Sequence, residues 1–353
     1  MMRFNIADRS VGDEQPVYII AEMSANHGGD LATAIEILHA AKRAGADAVK
    51  LQSYTADSLT LDAQQADFLL PQNSPWRNHH NFYRLYQKAA MPWQWHAELF
   101  AQAEQLGLTI FSSPFDHQAV ELLANLQSVA YKIASPEITD IPLIEAVARQ
   151  GKPVIFSTGL AEQSDIELAI QTMQQCGNQQ YAFLKCTTAY PAPMEQANLR
   201  MIAKLKQDYG CVVGLSDHCI GNEAVLASVA LGANIIEKHF MLNDGPETAD
   251  SFFSLTEQQF TTMVKSVRAV ELALGDGSYQ LSAAAQGNLS GRRSLYIAQD
   301  IAQGEMLTVQ HVKSVRPSFG LHPKYYHQVI GAKVKKSLRF GDRLALEDID
   351  VGH

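Results

Sequence analysis

The chain reads as an α/β protein, a (β/α)8 TIM barrel followed by a small β-rich domain. Eight short runs rich in Val, Ile and Phe alternate with helical patterns over most of the 353 residues. A parallel barrel takes about 250 residues, which leaves room for a second unit. Two histidines, His218 in GLSDH and His239 in IIEKHF, each follow an apolar run and lie one βα unit apart.

The candidate strands are VYIIAEM from Val17, AVKLQ from Ala48, TIFSS from Thr109, AYKIAS from Ala130, PVIFST from Pro153, YAFLKC from Tyr181, VVGLS from Val212 and NIIEKHF from Asn234. Near-continuous apolar runs suit strands covered on both faces, as parallel strands are. Between them, DLATAIEILHAAKRAGA and DIELAIQTMQQCG repeat apolar residues at helical spacing and end in Gly, a helix-stop signal. A doubly wound open sheet is the main alternative. NHGGD, after the first strand, does not fit the G-x-G-x-x-G loop that such a sheet usually carries.

From Ser53 to Met91 the connection is too long for an ordinary βα loop and mixes aromatic, Asn and His residues. Long loops on this face of a barrel are commonly functional, although His79 and His80 read as solvated. Beyond a helix ending near Leu274, GDGSYQLSAAAQGNLSGRR loses periodicity. The expected division is a barrel over residues 1–280, a linker over 281–291 and a β-rich module over 292–353. Two similar turn units, DIAQGEMLT and SLRFGDRLA, lie in that module, which is small enough to be marginally stable unless it docks.

Composition is ordinary for a globular protein, with 46% hydrophobic and 18% charged residues. The net charge of −9 argues against a general nucleic-acid or membrane surface, so an anion needs a focused local site. The N-terminus has no positive segment followed by a long apolar one, and no apolar run reaches membrane-spanning length. A cytoplasmic protein is expected. Cys176, Cys186, Cys211 and Cys219 form no C-x-x-C pair, which points away from disulfides and zinc knuckles.

Side chains at the C-terminal ends of parallel barrel strands converge on one mouth. His218 and His239 are therefore placed to share a metal ion; hydrogen-bonded rim histidines are the plainer alternative. Lys50 and Lys132 lie in apolar strands, where an unpartnered ammonium is costly. With Ser and Thr hydroxyls they would suit a phosphate and a carboxylate, whereas pairing with an Asp or Glu inside the barrel is the other possibility. The polar ring is completed by Glu22, Gln52, Ser112, Ser113, Ser135, Glu137, Ser157, Thr188, Tyr190, Ser216 and Glu237. Lys238 alternates with His239 and should point outward.

IIAEMSANHGGD, AGADAVKLQSY, YKIAS-x-E, IFSTGL, KCTTAYPAP, GLSDH and EKHF, in this order and spacing, resemble the sialic acid synthase family of phosphoenolpyruvate-condensing enzymes. The resemblance spans almost the whole chain, including a C-terminal antifreeze-like (SAF) domain carrying VRPSFGLHPKY. LQSYTADSLTL, NFYRLYQKAAMPWQWH and FSSPFD are most similar to the pseudaminic branch of the family. Thr188 stands where other members usually place Asn.

The resemblance implies that phosphoenolpyruvate is joined to the open-chain aldehyde of an N-acetylated amino sugar, with release of phosphate. For the pseudaminic branch the acceptor is a 2,4-diacetamido-2,4,6-trideoxy-altrose; N-acetylneuraminate or legionaminate synthesis is the alternative. It further implies a divalent ion, Mn2+, Co2+ or Mg2+, on His218 and His239. Phosphoenolpyruvate would be bound by Lys50, Lys132, Ser135, Ser157, Thr188 and Ser216, beside Ser112 and Ser113. Lys132, Glu137 and Asp250 are the implied catalytic residues, with Glu22, Gln52 and Tyr190 contacting sugar hydroxyls or orienting the shell. In the family the small domain closes over the partner's barrel in a swapped homodimer, which would bring Arg316 to the acceptor's N-acetyl group. Two competing readings are a Schiff-base aldolase using Lys132 or Lys185 and a sugar-binding barrel without chemistry.

Overall fold

All eight apolar runs become parallel strands in a computed structural model that describes residues 2–350. A hairpin of β1 (Arg3–Ile6) and β2 (Arg9–Gly12) comes first. The barrel strands are β3 (Tyr18–Glu22), β4 (Ala48–Ser53), β5 (Thr109–Pro114), β6 (Tyr131–Ile133), β7 (Val154–Ser157), β8 (Tyr181–Cys186), β9 (Val212–Asp217) and β10 (Ile235–Met241). Pairing of β10 with both β9 and β3 closes the barrel.

Alternation along each strand sorts side chains into two apolar layers. Ile20, Phe111 and Leu184 pack inside the barrel, while Ile19, Phe156 and Val213 pack outward against the helices. Phe4, Ile6 and Val11 of the hairpin join the inner layer beside Tyr18, Ala48 and Val212. The hairpin thus covers the N-terminal strand ends and leaves the opposite mouth for polar side chains. The hairpin's four-residue strands are too short to display a period in the sequence.

The first outer helix, Leu31–Ala44, shows the local logic. Asp30 caps it by accepting a hydrogen bond from the Thr33 amide at 2.8 Å, and Gly45 ends it with φ 87°. Ala34, Ile37, Leu38 and Ala41 form its buried stripe, the spacing of one helix face. Replacing the Asp30 cap by Ala would cost about 1 kcal/mol. The Ser53–Met91 excursion is more structured than a loop, with short helices at Ala56–Leu59 and Phe82–Ala89.

The chain divides into two compact units between Gly275 and Asp276, just after the helix Glu257–Leu274. In the second unit, Ser294–Ile297 pairs antiparallel with Val312–Val315. The two similar turn units meet there. Ile301 and Leu338 exchange backbone hydrogen bonds of 2.8 and 2.9 Å, and Gly304 and Gly341 occupy the same left-handed conformation at φ 86° and 89°. Leu295, Leu307, Val329 and Leu344 form its own core. No helix among the described residues is long and apolar enough to cross a membrane.

Candidate active site

Strand register gathers the polar ring. Glu22 lies opposite Lys50 on one side and His239 on the other, Gln52 lies opposite Ser113, and Glu237 lies opposite Ser216. Partners in register point to the same face, so these groups all enter the barrel mouth.

The two lysines are paired inside the barrel. Lys50 Nζ lies 3.0 Å from Glu22 and 3.3 Å from Glu237, while Lys132 Nζ lies 3.9 Å from Glu237. Lys132 donates to Ser157 Oγ at 2.6 Å, Ser216 donates to Glu237 at 3.0 Å, and Gln52 donates to Glu22 at 2.8 Å. Desolvation is severe here, and it divides the charges unequally. Burial raises Glu22 to about 7 against the pull of Lys50. Burial also opposes ionisation of Glu237, yet Lys132 and Lys50 together hold it below the usual carboxylate range. Lys132 is lowered to about 8 by burial, with Glu237 resisting; on Lys50 the two carboxylates outweigh burial and raise it. Two ammonium groups therefore face one carboxylate that they hold ionised and one whose ionisation burial opposes, and hydroxyls of Ser113, Ser157 and Ser216 surround them. Pairing with carboxylates and binding an anion are thus compatible here.

The histidine pair sits beside this pocket with ring centroids 5.3 Å apart. The His218 Nδ1–H donates to the Thr187 carbonyl at 2.9 Å, which fixes one proton on Nδ1, so that the neutral ring presents its lone pair at Nε2. His239 Nδ1 is buried without a hydrogen-bond partner. Burial, reinforced by the neighbouring His218 and Lys50, lowers His239 well below the usual imidazole value, so it stays neutral and able to ligate. Asp250 accepts a hydrogen bond from Ser24, and burial raises it above the usual range. Tyr190 packs on His218 at 4.4 Å and on Phe253 at 5.1 Å. Among the described residues, no group of three or more His, Cys, Asp or Glu is arranged to hold a metal ion.

On the far side of Lys132, the short turn Ser135–Thr139 presents Glu137. Burial raises Glu137 to about 7, and its Oε2 is buried without a partner. Thr188 donates to Ser135 at 3.2 Å. A Cβ on Gly159 would lie 2.1 Å from Thr188 Oγ1 and 2.9 Å from Ser135 Oγ, so only glycine permits this approach.

Two findings depart from the sequence reading. Ser112 is turned away from the mouth: its hydroxyl lies 2.7 Å from that of Ser53, which in turn meets His96 Nε2 at 2.7 Å on an outer helix. Two adjacent serines on one strand cannot share a face, and Ser113, 3.4 Å from Lys50 Nζ, takes the inner one. Glu237, noted only as a polar strand-end residue, instead binds three neighbours. Its strand position was legible, but a hub across β4, β6 and β9 has no signature along one chain segment. Lys238 does point outward, pairing with Asp217 at 2.5 Å. Lys185 lies on the face opposite Cys186 and donates to Thr187 Oγ1 at 3.2 Å. Arg316 is exposed on the second unit.

Comparison with known proteins adds to this geometry. The NeuB family profile matches residues 37–279 and the SAF domain profile matches residues 292–350. A pseudaminic acid synthase of Campylobacter jejuni is 45% identical over 335 residues, covering 95% of this chain and 97% of its own length. One from Helicobacter pylori is 44% identical over 340 residues, covering 95% and 98%. The crystal structure of a Bacillus subtilis spore coat polysaccharide biosynthesis protein superposes with TM-score 0.67 at 32% identity, covering 99% of this chain and 100% of that one.

Proposed function

The chain belongs to the NeuB family, and we propose that it catalyses the reaction of a pseudaminic acid synthase. Phosphoenolpyruvate condenses with the open-chain aldehyde of a 2,4-diacetamido-2,4,6-trideoxy-altrose and water, giving pseudaminic acid and phosphate. The observation that carries the chemistry is the buried cluster of Lys50 and Lys132 around Glu237, beside the histidine pair. The acceptor rests on the near-full-length identity to pseudaminic acid synthases.

Lys50, Lys132, Ser157 and Ser216 receive the phosphate and carboxylate, with charge-assisted hydrogen bonds. Glu237 holds both ammonium groups in place between turnovers. C3 of the enol attacks the aldehyde carbon, the resulting cation at C2 takes up water, and phosphate leaves with its bridging oxygen as the C2–O bond breaks. Preorganised lysines and hydroxyls offset the charge that moves onto the phosphate. Glu137, with its raised carboxyl and orphaned oxygen, exchanges the proton during water addition and collapse. Ser135 and Thr188 complete the anion side, and Asp250 stands on the acceptor side with Glu22, Gln52 and Tyr190.

His218 and His239 fit a divalent ion. One has its outer nitrogen anchored on a carbonyl, as metal-ligating imidazoles usually do, and the other carries a buried nitrogen without a protein partner. With only two imidazoles from the protein, substrate and water oxygens would complete the shell, which suits Mn2+, Co2+ or Mg2+ better than structural zinc. When bound, such an ion supplies Lewis-acid polarisation of the acceptor's carbonyl oxygen. Arg316 contacting the acceptor from a swapped partner subunit, and residence in the cytoplasm, belong to the same proposal.

Phosphate release from phosphoenolpyruvate should be followed with three acceptors, the altrose-type sugar, N-acetylmannosamine and the legionaminic precursor. The altrose-type sugar should be turned over most efficiently. Turnover confined to N-acetylmannosamine would remove the pseudaminic assignment.

A further inference from the structure

We propose that Asn26 is a positioning residue for the reaction, holding the loop that carries Asp250 so that its carboxyl is set against the acceptor. This rests on Asp250 standing on the acceptor side of the mouth, as read above. Asn26 lies in the short turn Ser24–His27 just after β3 and is 2% exposed. Its side chain nevertheless reaches a segment remote in sequence. Nδ2 donates to the Phe240 carbonyl at 3.0 Å and to Ser254 Oγ at 2.8 Å, and Oδ1 accepts from Thr248 Oγ1 at 2.6 Å. A carbonyl can only accept, so the Phe240 contact fixes which way the amide faces.

Thr248 and Ser254 both hold the backbone of Asp250. Thr248 Oγ1 accepts from the Asp250 amide at 3.4 Å, and Ser254 Oγ donates to the Asp250 carbonyl at 2.7 Å. Each hydroxyl has one proton to give. Asn26 takes the proton of Thr248 and supplies one to Ser254, which leaves Thr248 to accept from the Asp250 amide and Ser254 to donate to the Asp250 carbonyl. Asn26→Ala would release both. The same turn also holds the carboxyl, since Ser24 donates to it from a left-handed conformation at φ 46° that a residue with a side chain rarely adopts. The long excursion after β4 braces the neighbouring residue, where the Trp76 indole donates to the Ala249 carbonyl at 2.7 Å and packs on Tyr190 at 5.5 Å. Asn26 reaches both sides of Asp250 and, through the Phe240 carbonyl, the strand of His239. A misplacement of about 1 Å at a reacting centre costs about 100-fold in rate, so a residue that touches no substrate can act through this geometry.

The test is a double-mutant cycle on kcat/KM for the acceptor, using the full-length protein with Mn2+, phosphoenolpyruvate and the altrose-type sugar. Asn26→Ala should lower it by about 10- to 100-fold, while KM for phosphoenolpyruvate stays within about twofold. In an Asp250→Ala background the same substitution should cost less than about threefold, because residues that act through one group are not additive. Thr248→Val should give a milder form of the Asn26→Ala loss and takes its place in the cycle if that variant does not fold. Thr248→Ser keeps the hydroxyl and should retain near-wild-type turnover. Equal losses in the two backgrounds would mean that Asn26 serves the fold alone, and they overturn the proposal, as does wild-type acceptor kinetics in the folded Asn26 and Thr248 variants. Asp250→Ala with unchanged acceptor kinetics overturns the acceptor-side reading of Asp250 instead, and the positioning role with it.

Discussion

Asp217 and Lys238 form an ion pair at 2.5 Å on the outer face of the barrel, each immediately before a histidine of the pair. Lys238 also donates to the Cys219 carbonyl, and Asp217 accepts from the Cys219 amide at 3.0 Å. Both side chains are buried. Because alternation turns neighbouring residues to opposite faces, the outer pair fixes the spacing of β9 and β10 at the level where His218 and His239 emerge inside.

Lys238→Met should therefore unfold more easily, by about 3–5 kcal/mol, because it leaves the buried Asp217 charge without its counter-ion. Asp217→Asn combined with Lys238→Met should recover most of that loss in urea denaturation. The double variant should still bind Mn2+ more weakly in an electron paramagnetic resonance titration, and His239→Ala should bind none at the site. Unchanged Mn2+ affinity in the double variant would detach the outer pair from the histidines.

Glu137→Gln should separate stability from activity. The folded value is about 7 against an ordinary 4.5, so the native state holds this proton more tightly than the unfolded chain. The associated stability is present at low pH and is lost as pH rises through that window. Gln does not titrate. Thermal unfolding should show the variant gaining on wild type between pH 5 and pH 8, by on the order of 2 kcal/mol, while kcat falls about 100- to 10,000-fold. A stability difference between variant and wild type that is no larger at pH 8 than at pH 5 would contradict the buried, proton-holding role.

Removal of residues beyond Gly291 should leave the barrel folded and eliminate turnover. Arg316→Ala in the full chain should raise the acceptor KM while sparing that for phosphoenolpyruvate. Circular dichroism and steady-state assays distinguish these outcomes from general unfolding. A truncated barrel with full activity would dissociate the SAF domain from catalysis.

The barrel was legible because parallel strands buried on two faces read as near-continuous apolar runs, and the polar residues that interrupt or end them, such as Glu22, Lys50 and His239, then mark one mouth. Facing was less legible. Ser112 and Ser113 are chemically identical, and only the register with Gln52 decides which enters the barrel. Glu237 was visible as a strand-end carboxylate, but its three contacts come from other strands. Trp76 lies in a segment with no period at all, so its approach to Tyr190 is set by tertiary packing. The hairpin Arg3–Gly12 leaves no periodic signal because its strands are only four residues long.

The central claim is that this mouth adds water to C2 of phosphoenolpyruvate after joining C3 to the altrose-type sugar. Phosphoenolpyruvate carrying 18O in its bridging C–O–P position tests this directly, by mass spectrometry of both products. The expected result is label in the released phosphate, because the C–O bond breaks, with none retained at C2 of the nonulosonic acid. Label retained in the sugar acid would mean cleavage at phosphorus and would contradict the account.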